Sequence, residues 1–369
     1  MQTTPTSSPG SFPTTGLTGG HHPTPCATPP HVPPHASHAT PQHPTPHHAT
    51  GAHHPAGGHH PTPCATPPHV PPHPTGAHHP AGHPLSSACV AQTAQWKLLR
   101  GDALQLLQHL EGGKYGLIVA DPPYFLSNGG YTCKGGRRVP VEKGEWDVSQ
   151  GMEADLAFTY GWLKGCMRLL SPEGSLWVSG TQHNIFMVGF VLQQLGYRLL
   201  NTITWYKPNA SPNLSCRYFT HSTELLLWAA PRAKKQRHIF NYAHMKQLNA
   251  NKQMRDVWAL PKTGEEELSE EGEGKLWSFT RPTKEEKRFG AHPTQKPLAL
   301  LKRIIEASSQ QGAWVLDPFC GSGTTGVAAL ETGRCFVGID NAPTSLELAL
   351  HRLHAVRPRP EGHLQEAVL

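Results

Sequence analysis

No lysine, arginine, aspartate or glutamate occurs before Lys97, and this decides how much of the chain can fold. From Met1 to about Gln95 the sequence is Pro, His, Thr, Ala, Gly and Ser with almost nothing to bury. Such a segment cannot offset the entropy of ordering itself, so residues 1–95 are expected to form a disordered tail. It is also repetitive: His21–His35 recurs unchanged at His59–His73, and Gly51–Gly57 recurs at Gly76–Gly82. Seventeen of the 26 histidines lie here. Histidine-rich tracts can bind metal, but the interleaved prolines oppose a compact multidentate geometry. The tail therefore reads as a biased linker, and no metal site is expected.

All 32 basic and 26 acidic residues lie from Lys97 onward, so the net charge of +6 belongs to 97–369. That mild basic excess permits a polyanionic partner such as nucleic acid without requiring one. The eight cysteines include no C-x-x-C pair, which argues against a disulfide scaffold and a zinc ribbon and points to a reducing cytoplasm. No apolar run approaches the roughly 18 residues that span a bilayer. The amino terminus has neither a basic region nor a hydrophobic core of the secretory kind.

Folded sequence is expected from Trp96. Lys97–Arg100 reads as a short strand, Ala103–Leu110 as a helix with Leu104, Leu107 and Leu110 on one face, and Asp102 either caps that helix or lines a pocket at the strand edge. Leu117–Ala120 is a buried strand. Ala154–Leu170 is an amphipathic helix, Ser171–Gly174 a turn, Ser175–Ser179 a strand, Asn184–Leu195 a helix ended by Gly196, and Tyr197–Tyr206 a strand. This alternation is that of an α/β sheet.

Two stretches carry the chemistry. Asp121-Pro122-Pro123-Tyr124 follows the strand Leu117–Ala120, and two prolines forbid helix or strand from continuing, so the four residues form a stiff loop at a strand's carboxyl end. A carboxylate and a tyrosine held there suit a flat, amine-bearing ring, the carboxylate and a proline carbonyl accepting from the amine while the aromatic ring stacks on its face. The second stretch is Asp317-Pro318-Phe319-Cys320-Gly321-Ser322-Gly323-Thr324-Thr325, set after the strand Ala313–Leu316 and followed by a helix at Gly326–Glu331 and a strand at Cys335–Ile339 that closes on Asp340. Glycines allow a tight turn and close backbone approach, and the acid ending the next strand can accept from ribose hydroxyls, which together indicate a nucleoside cofactor.

Basic residues fall in two places. The Gly-rich loop Ser127–Asp147 carries Lys134, Arg137, Arg138 and Lys143, and Lys234, Lys235 and Arg237 precede Phe240 and Tyr242. Both are candidates for phosphate contact and base stacking, and both also read as plain solvated surface. Between Lys207 and Gly290 the alternation breaks down apart from a strand at Glu224–Trp228, and Glu265–Glu273 is an acidic insertion that would avoid phosphate.

With His292-Pro293-Thr294-Gln295-Lys296-Pro297 just before the cofactor stretch, these motifs resemble those of β-class amino-methylating DNA methyltransferases, in the same order and over about Trp96–Leu353. Phe125–Asn128, Lys143–Asp147 and Asn213–Glu224 further resemble adenine methyltransferases of GATC-cutting restriction systems, some of which accept single strands. The resemblance implies a Rossmann-like fold with a seven-stranded, mostly parallel sheet, a domain over 96–369 and a target-recognition segment at about 207–290. It implies S-adenosylmethionine as cofactor. Phe319, Gly321, Gly323, Thr324 and Thr325, with Asp317, would surround its methionine end, Asp340 its ribose and Asp102 its adenine, with His292 and Lys296 on the pocket wall. Asp121, Pro122, Pro123 and Tyr124 would act on the N6 amine of a flipped-out adenine in DNA. Cytosine N4 is the alternative acceptor, and a catalytically idle DNA-binding protein or a metal-binding tail the alternative class. A restriction endonuclease and a second copy of the chain are the implied partners.

Overall fold

The computed structural model of the chain describes residues 84–356 apart from 128, 130, 135–136, 208–209, 211, 236, 259–281, 291 and 293. The elements are α1 (Pro84–Ala88), β1 (Cys89–Gln92), β2 (Trp96–Arg100), α2 (Ala103–His109), β3 (Tyr115–Ala120), β4 (Tyr131–Lys134) and β5 (Arg137–Pro140). There follow α3 (Met152–Leu169), β6 (Leu170–Gly180), α4 (Ile185–Gln194), β7 (Tyr197–Tyr206), β8 (Thr223–Pro231), α5 (Tyr242–Leu248) and β9 (Val257–Trp258). The chain closes with α6 (Leu298–Ser308), β10 (Trp314–Asp317), α7 (Thr324–Glu331), β11 (Cys335–Asp340) and α8 (Pro343–His354).

One sheet organises the fold, in the order β1-β2-β11-β10-β3-β6-β8-β7-β9. From β2 through β11, β10 and β3 to β6 every pairing is parallel, and β8 is inserted antiparallel between β6 and β7. Strands β2 to β7 of that order are the expected seven. The sheet has nine strands because β1 adds antiparallel at one edge and β9 parallel at the other. Strands covered on both faces read as continuous apolar runs, and Leu117, Ile118, Val119 and Ala120 are all buried.

Successive strand residues point to opposite faces, and two cores result. Ile118 packs on one side with Leu106, Leu107, Trp162 and Leu163 from α2 and α3, while Leu117 and Val119 pack on the other with Leu301, Ile304 and Ile305 of α6 and Leu346 of α8. Each such large side chain contributes about 1.5–3 kcal/mol on burial. In the second core Trp177 stacks on Trp228 with ring centroids 5.1 Å apart.

Several expectations need correction. Ordered structure begins ahead of Trp96, since β1 pairs with β2 through Cys89↔Leu99 and Gln92↔Lys97. Ser171–Gly174 is no separate turn but lies within β6, at an irregularity of its pairing with β3 between Tyr115 and Leu117. Helices α5, α6 and α8 have no counterpart among the elements expected from sequence. The tail up to residue 83 and the acidic stretch Glu265–Glu273 lie outside the described residues. Among the described residues no helix is long and apolar enough to cross a membrane, and no cluster of three His, Cys, Asp or Glu side chains could hold a metal ion.

Because β2, β11, β10, β3, β6 and β7 run the same way, their carboxyl ends share one edge, joined there by the amino end of reversed β8. Asp102, Asp121, Ser179, Lys207, Glu224, Asp317 and Asp340 all lie at or next to that edge.

Candidate functional site

The glycine-containing loop leaves β10 and enters α7. Asp317, 3 % exposed, pins both ends of the turn: its Oδ1 accepts from Phe319 N at 3.0 Å and its Oδ2 from Thr325 Oγ1 at 2.5 Å. Gly321 and Gly323 have φ of +47° and +72°, the left-handed region that glycine enters without strain. A Cβ on Gly321 would stand 3.3 Å from the His292 ring, and one on Gly323 would meet Ala349 Cβ at 2.8 Å. From beneath, the buried Arg352 donates from Nη1 to Ser322 O at 2.8 Å, Ser322 Oγ at 2.9 Å and Thr324 Oγ1 at 2.7 Å.

Asp340 ends β11, and its carboxylate accepts from Gly321 N and Ala342 N, each at 2.9 Å. Burial pushes its carboxyl up against those hydrogen bonds. Burial also pushes Asp317 up to about 7, opposed by the bonds from Thr325 and Phe319 and reinforced by Asp121 and Asp340. His292 faces Thr294 Oγ1 through Nδ1 at 3.2 Å and Ser345 Oγ through Nε2 at 3.4 Å. Burial lowers its basicity, so its ring is neutral at pH 7. Asp102 does both things its position allows: Oδ1 caps α2 by accepting from Gln105 N at 3.0 Å, and the residue lines the same cavity. That cavity, about 460 Å³, runs from Asp102 and Asp340 past the Gly321 loop to Asp121 and Lys296.

At the cavity's other end the Asp121 carboxylate is held on both oxygens. Oδ1 accepts from Ser179 Oγ at 2.6 Å and Tyr124 Oη at 2.7 Å, and Oδ2 from Lys296 Nζ at 2.6 Å. Burial would push this carboxyl up, but the Lys296 ammonium and the three hydrogen bonds hold it below the usual carboxylate range. Burial and the Asp121 charge keep the Tyr124 phenol protonated. The backbone of this loop is fixed by Asp147, 1 % exposed. Asp147 accepts from Tyr124 N at 2.9 Å, Leu126 N at 3.1 Å and Ser127 Oγ at 3.0 Å. Between those anchors Phe125 is held at φ +58°, an uncommon conformation for a non-glycine residue that persists where surroundings over-determine it.

The structure thus brings the two predicted stretches together, with Lys296, on the wall of the cavity, also pairing with the Asp121 carboxylate. It also adds residues that sequence reasoning did not single out: Ser179, Asp147, Glu224 and Arg352. Asp147 and Glu224 stand at the ends of stretches that carry the family resemblance, whereas nothing in the sequence marks Ser179 or Arg352.

The basic candidates separate. Lys134, Arg137 and Arg138 fall in the β4–β5 hairpin and Arg137 is exposed, while the Lys143 N donates to Ser127 Oγ at 2.9 Å, next to the Asp121–Tyr124 loop. Lys234, Lys235 and Arg237 are exposed but follow the carboxyl end of β8. Strand β8 is antiparallel, with Pro231 opposite Tyr197 at the start of β7, and Ile239 N bonds Glu173 O near the start of β6. That cluster therefore sits at the sheet edge away from Asp121. Exposed groups at the edge that carries Asp121 include Leu214, Arg217, Tyr218 and Phe219, the last 94 % exposed, in the connection between β7 and β8.

A family model described as DNA methylase, for N6 and N4 methyltransferases, matches residues 115–351. The chain is 48 % identical over 258 residues to the Type II methyltransferase M2.DpnII of Streptococcus pneumoniae, covering 70 % of this chain and 89 % of that protein. It is 43 % identical over 273 residues to the Type II methyltransferase M2.MboI of Moraxella bovis, covering 74 % and 93 %. Among solved structures, the cytosine-N4-specific PvuII DNA methyltransferase shares the fold with a TM-score of 0.52 at 17 % identity, over 70 % of this chain and 86 % of that one. The chain belongs to the N6/N4 DNA methylase family, enzymes that use S-adenosylmethionine to methylate amino groups of DNA bases.

Proposed function

We propose that the chain methylates the N6 amine of adenine in DNA, with Asp121 as the residue that receives the amine. The observation that carries this reading is the Asp121 carboxylate, kept ionised at the end of a cavity whose other end is the glycine loop and Asp340. Aspartate at the head of the Pro-Pro-Tyr motif, and the resemblance to adenine methyltransferases of GATC-cutting systems, favour adenine over cytosine.

The donor set fits the cofactor. Gly321 leaves the loop without a side chain towards His292, Asp340 retains lone pairs beyond its two backbone bonds, and Asp317 offers a buried acid to an ammonium group. Phe319, Gly321, Gly323, Thr324 and Thr325 would hold the methionine end, Asp340 the ribose and Asp102 the adenine, with His292 as a neutral wall. Bound S-adenosylmethionine supplies a methyl group activated by its sulfonium.

The chain's own residues do the rest. Extruding a base costs a few kcal/mol, and stacking on Tyr124 returns about 1–3 kcal/mol of it. The ring amine is a poor nucleophile because its lone pair is delocalised. Asp121 and the Pro122 carbonyl accept its two hydrogens, draw the nitrogen towards tetrahedral geometry and free the lone pair. Pro122 and Pro123 keep the loop stiff, and positioning supplies most of the catalysis. Lys143, next to the Asp121–Tyr124 loop, and Arg137 of the β4–β5 hairpin contact the phosphate backbone. The protein works in the cytoplasm as the modification partner of a restriction endonuclease, on duplex DNA, with single strands and a dimeric state as further features of the same reading.

The test is methyl transfer from labelled cofactor to unmethylated DNA, digested to nucleosides and read by mass spectrometry. N6-methyladenine is expected. N4-methylcytosine would overturn the choice of acceptor, and no methylated base from protein that binds the cofactor would refute the reading.

A further inference from the structure

Lys296 occupies both contacts that an incoming amine-bearing ring needs. Its Nζ lies 2.6 Å from Asp121 Oδ2 and 5.2 Å from the centroid of the Tyr124 ring, over one face of it. A Lys296 side chain only 11 % exposed stays largely buried when it leaves Asp121, and a buried ammonium without a counter-ion is strongly unfavourable. The structure holds a second station for it. Glu224, at the start of β8, has its Oε1 paired with Lys207, while no donor among the described residues reaches its buried Oε2. That oxygen is 3.9 Å from Lys296 Nζ. A shift of about 1 Å would bring the ammonium to charge-assisted hydrogen-bond distance.

We propose that Glu224 is a positioning residue that receives Lys296 when the target base enters. In this relay the ammonium leaves Asp121 Oδ2 and the Tyr124 face for Glu224 Oε2, and the amine takes its place on Asp121. Lys296 stays protonated throughout, and no bond is made or broken. The consequence is specificity. A base whose amine can donate to Asp121 replaces the displaced interaction, whereas a base presenting a carbonyl leaves Asp121 Oδ2 without a donor. This inference rests on the proposed contact between Asp121 and the amine.

The experiment measures single-turnover methyl transfer at saturating DNA, with cofactor affinity by calorimetry, for wild type, Glu224→Gln, Lys296→Met and the double variant. Glu224→Gln is expected to slow transfer by roughly ten- to a hundredfold, because the competent state becomes rare, with cofactor affinity within about twofold of wild type. In the Lys296→Met background the same substitution should change the rate by less than about twofold, since no ammonium remains to be received. A Glu224→Gln rate equal to wild type, or losses that multiply in the double variant, would overturn the relay. Should Glu224→Gln fail to fold, Glu224→Asp carries the same comparison, with an intermediate loss that Lys296→Met again removes. A wild-type protein that makes no N6-methyladenine contradicts the reading of the site itself. A wild type that does, with multiplicative variants, contradicts the relay alone.

Discussion

Lys296 Nζ and Asp121 Oδ2 lie 2.6 Å apart although the two residues are separated by 175 positions. Each comes from a different motif, so the contact joins the HPTQKP segment to the Asp121-Pro122-Pro123-Tyr124 loop. The pairing sets the charge of Asp121, because burial alone would raise its pKa. Replacing Lys296 with Met should therefore move the acid limb of the kcat/KM profile to higher pH. The native carboxyl is depressed, so the stability it contributes is present above its unfolded pKa and is lost as pH falls. Thermal unfolding of Lys296→Met, followed from mildly acidic to neutral pH, should consequently show less stability than wild type at the neutral end.

Asp317 has the opposite sign. Its carboxyl is pushed up to about 7, against about 3.9 in an unfolded chain. The stability that its protonation contributes is fully present below about pH 4 and is lost as pH rises through the native value of about 7. The apo-protein should therefore lose stability relative to Asp317→Asn over that window. If Asp317 faces the cofactor's ammonium, S-adenosylmethionine should bind more tightly as pH rises through 7 and should release a proton, read by calorimetry in buffers of different ionisation enthalpy.

Asp147 acts through the backbone. Replacing it with Ala removes the acceptor for the half-buried donors Tyr124 N, Leu126 N and Ser127 Oγ, at a cost of about 2–4 kcal/mol. The melting temperature should drop by several degrees, and kcat should fall more than cofactor affinity does.

Much of this architecture is readable from the residues. Strands β3, β10 and β11 are covered on both faces and so appear as apolar runs, and β7 spans the Tyr197–Tyr206 expected of it. Helices α6 and α8 carry buried Leu301, Ile305, Leu346 and Leu353, yet they begin after Pro297 and Ala342 with no side-chain cap to announce them. The two motifs are local and therefore legible. Ser179 and Glu224 are not, because Ser179 meets Asp121 only through the parallel pairing of β6 with β3, and Glu224 reaches that edge only when β8 inserts antiparallel beside β6. The same reversal carries Lys234, Lys235 and Arg237 away, which no local pattern could reveal.

That placement gives a paired prediction. Arg137→Ala and Arg217→Ala should weaken DNA binding and lower the slope of log K against log salt by about 0.9 for each phosphate that is no longer neutralised. Lys234→Ala/Lys235→Ala/Arg237→Ala should leave the slope unchanged. Fluorescence anisotropy with a labelled duplex, titrated from about 50 to about 200 mM salt, separates the two.

Gly323 joins the loop to α7 at φ +72° with Ala349 Cβ only 2.8 Å from where its own Cβ would be. Gly323→Ala should cost about 1–3 kcal/mol of stability and weaken cofactor binding, measured by thermal shift with and without S-adenosylmethionine.

The most direct test of the central claim is methyl transfer by Asp121→Ala and Asp121→Asn alongside their cofactor affinities. With Asp121 as the amine's acceptor, single-turnover formation of N6-methyladenine should fall by about 10²-fold or more while S-adenosylmethionine affinity by calorimetry stays within about threefold of wild type. Transfer at the wild-type rate in either variant would contradict the account.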